Sequence, residues 1–275
     1  MFRSVGARNS SSILRGALLC ATLGVVLWAA PAAADRKYFV ETYTPYLAGE
    51  GKLEYESWLT SKSGKPSPDT RTAWDLRSEL ECGLSERLTG ALYLNFSQEA
   101  GGALRFVSPS LELIYAPVEP GRLPVDPAFY LEVSESGEEL ELEPKLLLGR
   151  RVDRWVAAAN LVSELAFRHN DDEREEDGEV IEREWEPAVS AGLAYEFSSI
   201  ASLALEARYV AEYVNMEEKE ASMFSLGPTL NLQKGSVQLS LGILPQISGS
   251  PATSGHLNLS EFERTRVRMI LGIDL

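Results

Sequence analysis

The chain has 275 residues, a formal net charge of −15 and two cysteines. That much negative charge opposes binding to nucleic acid, and so few cysteines exclude a disulfide-stapled scaffold. A mean hydropathy of −0.13 suits a soluble acidic protein and also a β-barrel, half of whose strand residues are polar, so pattern must decide.

Residues 1–34 read as a secretory signal. Arg3, Arg8 and Arg15 give a basic start without an acid, Gly16–Ala30 is apolar, and Ala32-Ala33-Ala34 offers a small-residue cleavage site. Cleavage leaves Cys82 as the one cysteine, so no intrachain disulfide forms. No later run of about 18 apolar residues offers a transmembrane helix. Residues 35–50 carry Tyr38, Phe39, Tyr43, Pro45 and Tyr46, which is too aromatic for a free tail. They read as an N-terminal periplasmic arm, a partial plug of a lumen, or an extra short strand.

Residues 51–275 alternate with a period of two between turn residues, which predicts about twelve strands. These are Gly51–Lys62, Thr70–Gly83, Arg87–Ser97, Ala103–Tyr115, Pro127–Ser134, Glu138–Gly149, Arg154–Arg168, Glu184–Glu196, Ile200–Tyr213, Ser222–Gln233, Ser236–Gln246 and Thr265–Leu275. The last shows the pattern best. Thr265, Val267, Met269, Leu271, Ile273 and Leu275 form one face, while Arg266, Arg268 and Asp274 fall on the other. About eleven tilted residues also suit a bilayer-spanning strand.

Connections after even-numbered strands are tight (Leu84–Glu86, Arg150–Asp153, Phe197–Ser199, Lys234–Gly235), except the proline-rich Ala116–Asp126. Those after odd-numbered strands include long polar stretches: Ser63–Asp69, His169–Arg183 and Ile247–Arg264. Short periplasmic turns and longer outer loops are the asymmetry of outer-membrane barrels, and a β-sandwich, the soluble alternative, lacks it. Outward aromatics form two belts: Trp74, Phe96, Phe167, Trp185, Tyr213 and Phe224 near one rim, Tyr115, Phe129, Trp155 and Tyr195 near the other. The expected fold is therefore all-β: a twelve-stranded antiparallel transmembrane barrel in the bacterial outer membrane.

The same parity assigns the lumen. Its proposed lining is Glu54, Glu56, Asp75, Arg77, Glu79, Glu132, Glu141, Glu143, Lys145, Glu164, Glu206, Arg208, Arg266 and Arg268. Further inward charges are Glu81, Glu112, Glu184, Glu186, Glu196, Glu212, Asp274, Arg71 and Arg168, giving sixteen acids against seven bases. Arg–Glu pairs would cement a small barrel. An unneutralised acidic lining would make an open pore prefer cations. The two readings are compatible.

Enzymatic signatures are lacking. His169 and His256 sit in or beside outer loops; Ser250, Ser254 and Ser260 near His256 belong to a serine-rich loop rather than to a nucleophile site. No clustered His or Cys suggests a metal, and no cofactor is expected. Asp171, Asp172, Glu173, Glu175, Glu176 and Asp177 form an acidic run that lacks EF-hand spacing; it reads as a solvated loop, with divalent-cation binding as the alternative.

Several stretches resemble a known group of proteins. Glu79–Ser97 (ELECGLSERLTGALYLNFS), Phe129–Leu148 (FYLEVSESGEELELEPKLLL), Ala158–Glu164 (AANLVSE) and Leu226–Leu230 (LGPTL) resemble an uncharacterised family of bacterial outer-membrane barrels. That family is similar to transporters encoded with phenol and aromatic-compound degradation pathways. The resemblance implies fold and location more than substrate. The expected function is a narrow porin-like channel for small solutes or apolar compounds, the alternative a non-conducting structural or adhesive barrel. Expected partners are outer-membrane lipids, lipopolysaccharide, the barrel assembly machinery and an unidentified small solute.

Overall fold

The structure is a computed structural model that describes residues 36–64, 72–175 and 178–275, with the backbone alone for 169–175 and 178–181. The signal segment, Arg71 and the side chains of His169 and of the acidic run Asp171–Asp177 lie outside the described residues.

Alternating strands have one apolar and one polar face, and lipid outside with a polar interior satisfies both. Twelve strands form the wall: β1 (Leu53–Ser63), β2 (Ala73–Ser85), β3 (Leu88–Gln98), β4 (Arg105–Tyr115), β5 (Asp126–Glu135), β6 (Glu139–Val152), β7 (Trp155–Glu175), β8 (Gly178–Ser198), β9 (Ala201–Val214), β10 (Glu218–Lys234), β11 (Val237–Ser250) and β12 (Thr265–Asp274). Each pairs with its neighbours in sequence, and β1 pairs antiparallel with β12 to close the barrel. Closure pairs every strand edge, as hydrocarbon demands.

Leu92, Leu94, Leu111, Leu113, Leu131, Leu161, Val189, Leu193, Leu203 and Leu205 are exposed on the outside. An apolar band that extensive marks a surface made for lipid rather than water. Aromatic pairs flank it: Trp155–Tyr195 at 4.8 Å toward one rim, Trp185–Tyr213 at 5.0 Å and Phe96–Phe106 at 5.5 Å toward the other.

The connections after even-numbered strands, four tight turns and the long 116–125 stretch, share the rim that carries Leu53 and Asp274, here the turn end; 136–138 and 215–217 at the other rim are tight as well. The opposite rim is the loop end, and two expectations about it need correction. His169–Arg183 is not a loop: β7 continues to Glu175 and β8 starts at Gly178, with His169 paired to Ile181 and Asn170 to Val180. β-Branched Val180 and Ile181 favour extended backbone, and the ladder shifts register between Asn170 and Glu175 before Glu175 pairs with Gly178. Likewise β11 runs to Ser250, and the 251–264 loop folds back into the barrel mouth. Its Leu257, Asn258, Leu259, Phe262 and Glu263 are buried, and Phe262 packs on Ala188, Val210, Ala221 and Met223.

The lipid-facing assignment is testable on β9. Leu205 is 54% exposed, paired with Leu193 and Pro228 in the strand middle. Leu205→Arg should cost about 2–4 kcal/mol in the bilayer. Urea unfolding in lipid vesicles should show the loss; unchanged stability would place that face away from lipid.

Candidate functional site

Residues 36–47 do not join the sheet but enter the barrel from the turn end, where Arg36 Nη2 donates to the Ser199 carbonyl at 2.5 Å. Tyr38, Phe39 and Val40 are almost completely buried inside the barrel. Tyr38 and Phe39 pack on inward Val156, Ala158, Ala194 and Ala204, and Val40 on Trp58, Leu244 and Ile270. Tyr43 and Leu47 lie against Ile114, Ala128, Tyr130 and Leu147. The chain turns back at Gly49–Lys52, with Gly51 at φ 75°, and enters β1. Residues 36–47 thus lie within the barrel and apart from its sheet, and are called the plug below.

Its course requires missing side chains on the wall. A Cβ on Gly192 would stand 2.4 Å from the Phe39 ring, one on Gly242 2.2 Å from a Val40 methyl, and one on Gly149 2.5 Å from Pro45. Glycine inside a strand is otherwise a weakness, so close approach explains these three.

Lumen side chains replace the hydrogen bonds that a strand partner would supply. Glu206 accepts the backbone N–H groups of Val40, Glu41 and Thr42 at 2.8, 2.9 and 3.1 Å, and the Thr229 hydroxyl as well. Asn160 accepts from the Tyr43 N–H at 2.7 Å and donates to the Tyr43 carbonyl at 2.9 Å. Arg268 donates to the Val40 carbonyl at 2.8 Å.

The structure places all fourteen proposed lining residues on the inner face, in two electrostatic zones. Toward the turn end lie Glu54, Glu56, Glu79 and Glu81, with Glu112 beside them. Carboxylate oxygens of Glu79, Glu81 and Glu112 stand within 4.8 Å of one another, an all-oxygen set that suits a hard cation such as Ca²⁺. The protein brings its own cation there: Lys37 Nζ is 3.1 Å from Glu56 and 3.8 Å from Glu81. Glu54 accepts from Gln238 at 2.5 Å, and Glu112 from the Tyr93 hydroxyl.

Beyond the plug, a vestibule of about 460 Å³ opens at the loop end. Glu41, at the tip of the plug, meets three arginines there: Arg268 at 3.2 Å, Arg266 at 3.3 Å and Arg208 at 3.9 Å. Arg208 also pairs with Glu186 at 3.3 Å, and Arg266 with loop residue Glu263 at 2.6 Å. Elsewhere around the lining, Arg77 pairs with Glu132 at 3.1 Å, Lys145 with Glu143 at 2.9 Å, and Asp75 with Lys62 at 2.6 Å. Glu141 and Glu164 complete the charged lining. Six acids and six bases border this space, so the inward acid excess is not spread along the lumen as parity alone implies. Lys37, Glu41, Asn160 and Trp58 were absent from the sequence-derived set, although the aromatic density of 38–46 pointed toward them.

The model of a family of unknown function (DUF6662) matches residues 133–275, just over half of the chain. The chain belongs to the DUF6662 family. No curated protein matches it. In fold, this DUF6662 chain is similar to the COG4313 outer membrane channel from Pseudomonas putida F1, with a TM-score of 0.61 at 11% identity, over 86% of this chain and 100% of that one. It is also similar to the NanC porin, with a TM-score of 0.54 at 10% identity, over 81% of this chain and 100% of that one. At such identities the likeness is one of fold: an outer-membrane channel-type barrel, in agreement with the family resemblance in the sequence.

Two outcomes follow from these contacts. Lys37→Met leaves the acidic zone without its cation and should destabilise the barrel by about 3 kcal/mol, read by urea unfolding. Glu263 is buried, which would raise its pKa, but Arg266 beside it overrides burial and holds it down at about 2. A carboxylate depressed in the folded state stabilises above its ordinary pKa, and that contribution disappears as pH falls through the folded value. Amide hydrogen exchange of the 251–264 loop, taken as protection relative to the intrinsic rate at each pH, should be strong at pH 5 and weaken toward pH 2; Glu263→Gln should be weakly protected at both.

Proposed function

We propose that the protein is a narrow passive channel of the outer membrane, closed at rest by its own N-terminal segment, with the loop end outside and both ends of the barrel sequence in the periplasm. The observation that carries this reading is the vestibule, which ends on a segment held by side-chain contacts instead of a strand ladder. The remaining space among plug and wall is about 40 Å³, room for a few waters at most. Conduction therefore requires the plug to shift. The charged vestibule favours small polar solutes over apolar compounds, and its balanced charge removes the basis for a strong cation preference.

Cleavage of the signal, delivery by the assembly machinery, and contact with lipid and lipopolysaccharide accompany this reading. His256 is exposed on the 251–264 loop. The packed turn half favours one rival, a barrel that never conducts.

Planar-bilayer recording separates the two. Wild-type protein should be mostly silent with brief openings. Glu206→Ala, which strands three plug N–H groups, should raise open probability about tenfold, a shift of about 1.4 kcal/mol. Silence from both Glu206→Ala and a chain lacking residues 36–47, each shown folded by heat-shifted gel mobility, would leave the non-conducting barrel.

A further inference from the structure

Glu41 lies at the inner end of the vestibule, where a solute entering from the loop end meets the plug. Arg208, Arg266 and Arg268 belong to the wall, border the vestibule, and converge on one carboxylate carried by the plug. Arg208 and Arg266 keep Glu186 and Glu263 if Glu41 leaves, whereas the carboxylate paired with Arg268 is that of Glu41. Guanidinium groups present planar forks of donors matched to carboxylates, and a low-dielectric cleft strengthens their pull. Trp58 and Tyr43 border the same place, the Trp58 ring 5.5 Å from the Arg268 guanidinium, so an apolar surface lies beside the cationic one.

We propose that Glu41 is a built-in stand-in for the solute: the inner end of the vestibule binds small organic carboxylates, which displace Glu41 from the arginines and so loosen the plug. The inference rests on the plugged-channel reading for its consequence, but the binding site stands on the arginine geometry alone. A tethered carboxylate competes at a high effective concentration, which weakens the apparent affinity of any free one. The free carboxylate shifts the plug because it binds the plug-released state better than the plug-seated one.

Propionate, which reproduces the glutamate side chain, and its neutral isostere propionamide are the probes. Calorimetric titration of the purified full chain in detergent should show weak propionate binding and none of propionamide. Glu41→Ala should bind propionate about tenfold more tightly, and Glu41→Gln should also bind it more tightly than wild type. Arg268→Gln should lose the binding, and Arg268→Lys, which keeps the charge without the fork, should weaken it. In planar bilayers propionate should raise wild-type open probability, and propionamide should not. Equal binding of the two probes, or no gain in affinity in either Glu41 variant, overturns the proposal. Arginine-dependent propionate binding without conductance in any variant supports the carboxylate site and sinks the channel; conductance with no preference for propionate does the reverse.

Discussion

A segment inside a membrane barrel but outside its sheet has backbone N–H and C=O groups that neither the ladder nor lipid can satisfy. Here Glu206 and Asn160 satisfy them: one carboxylate gathers three successive N–H groups, and one amide brackets Tyr43 through both of its backbone groups. The rest of the interior is arranged around that capture. Glycines 149, 192 and 242 leave room where the segment passes, and Leu147, Val156, Leu244 and Ile270 give an otherwise polar lumen an apolar lining at the plug.

Charge sets the position of the plug along the barrel. On the wall, Glu54 faces Glu81, Glu56 faces Glu79, and Glu112 faces Glu132 in direct register. Like charges opposite one another destabilise a sheet unless something neutralises them. Arg77 serves Glu132 from within the wall, but the Glu56–Glu81 group receives its cation from the plug, as Lys37. Deeper in, the signs exchange: the wall supplies Arg208, Arg266 and Arg268, and the plug supplies Glu41. A segment with a cation at one end and an anion four residues later fits a lumen that is acidic and then basic. Sliding it along the barrel would part both Lys37 and Glu41 from their partners, so the register is electrostatic as well as steric.

The wall was legible because its signal is local: a period of two tells each residue of Thr265–Asp274, or of β9, which face it occupies. Strand ends were less so, since pairing in β7 and β8 carries polar residues well past the bilayer. The path of the plug was not legible, because bonds that fix it, such as Asn160 with Tyr43 and Arg268 with Val40, join residues 117 and 228 positions apart. A trace of it was nevertheless present. Inward Leu147, Leu244 and Ile270, and inward Gly192 and Gly242, break the polar pattern of a wet lumen, and their explanation is the Tyr38–Tyr46 segment. Parity also gave the sum of the inward charges without their distribution, which is why an acidic excess suggested cation preference while the vestibule is balanced.

How firmly the lumen is shut depends on what kind of contact holds it. Fixing a residue costs about 1–2 kcal/mol of backbone entropy, and burying Tyr38, Phe39 or Val40 returns about 1.5–3 kcal/mol each. Three such side chains do not offset the ordering of the whole segment from Arg36 to Leu47. The polar contacts must supply the difference, and bonds to charged groups contribute about 1.5–3 kcal/mol each. A plug zipped on as another strand would lose its ladder only by breaking the wall. This one is released when a few lumen side chains change partners, and the wall, whose own pairing runs unbroken from β1 to β12, does not have to move.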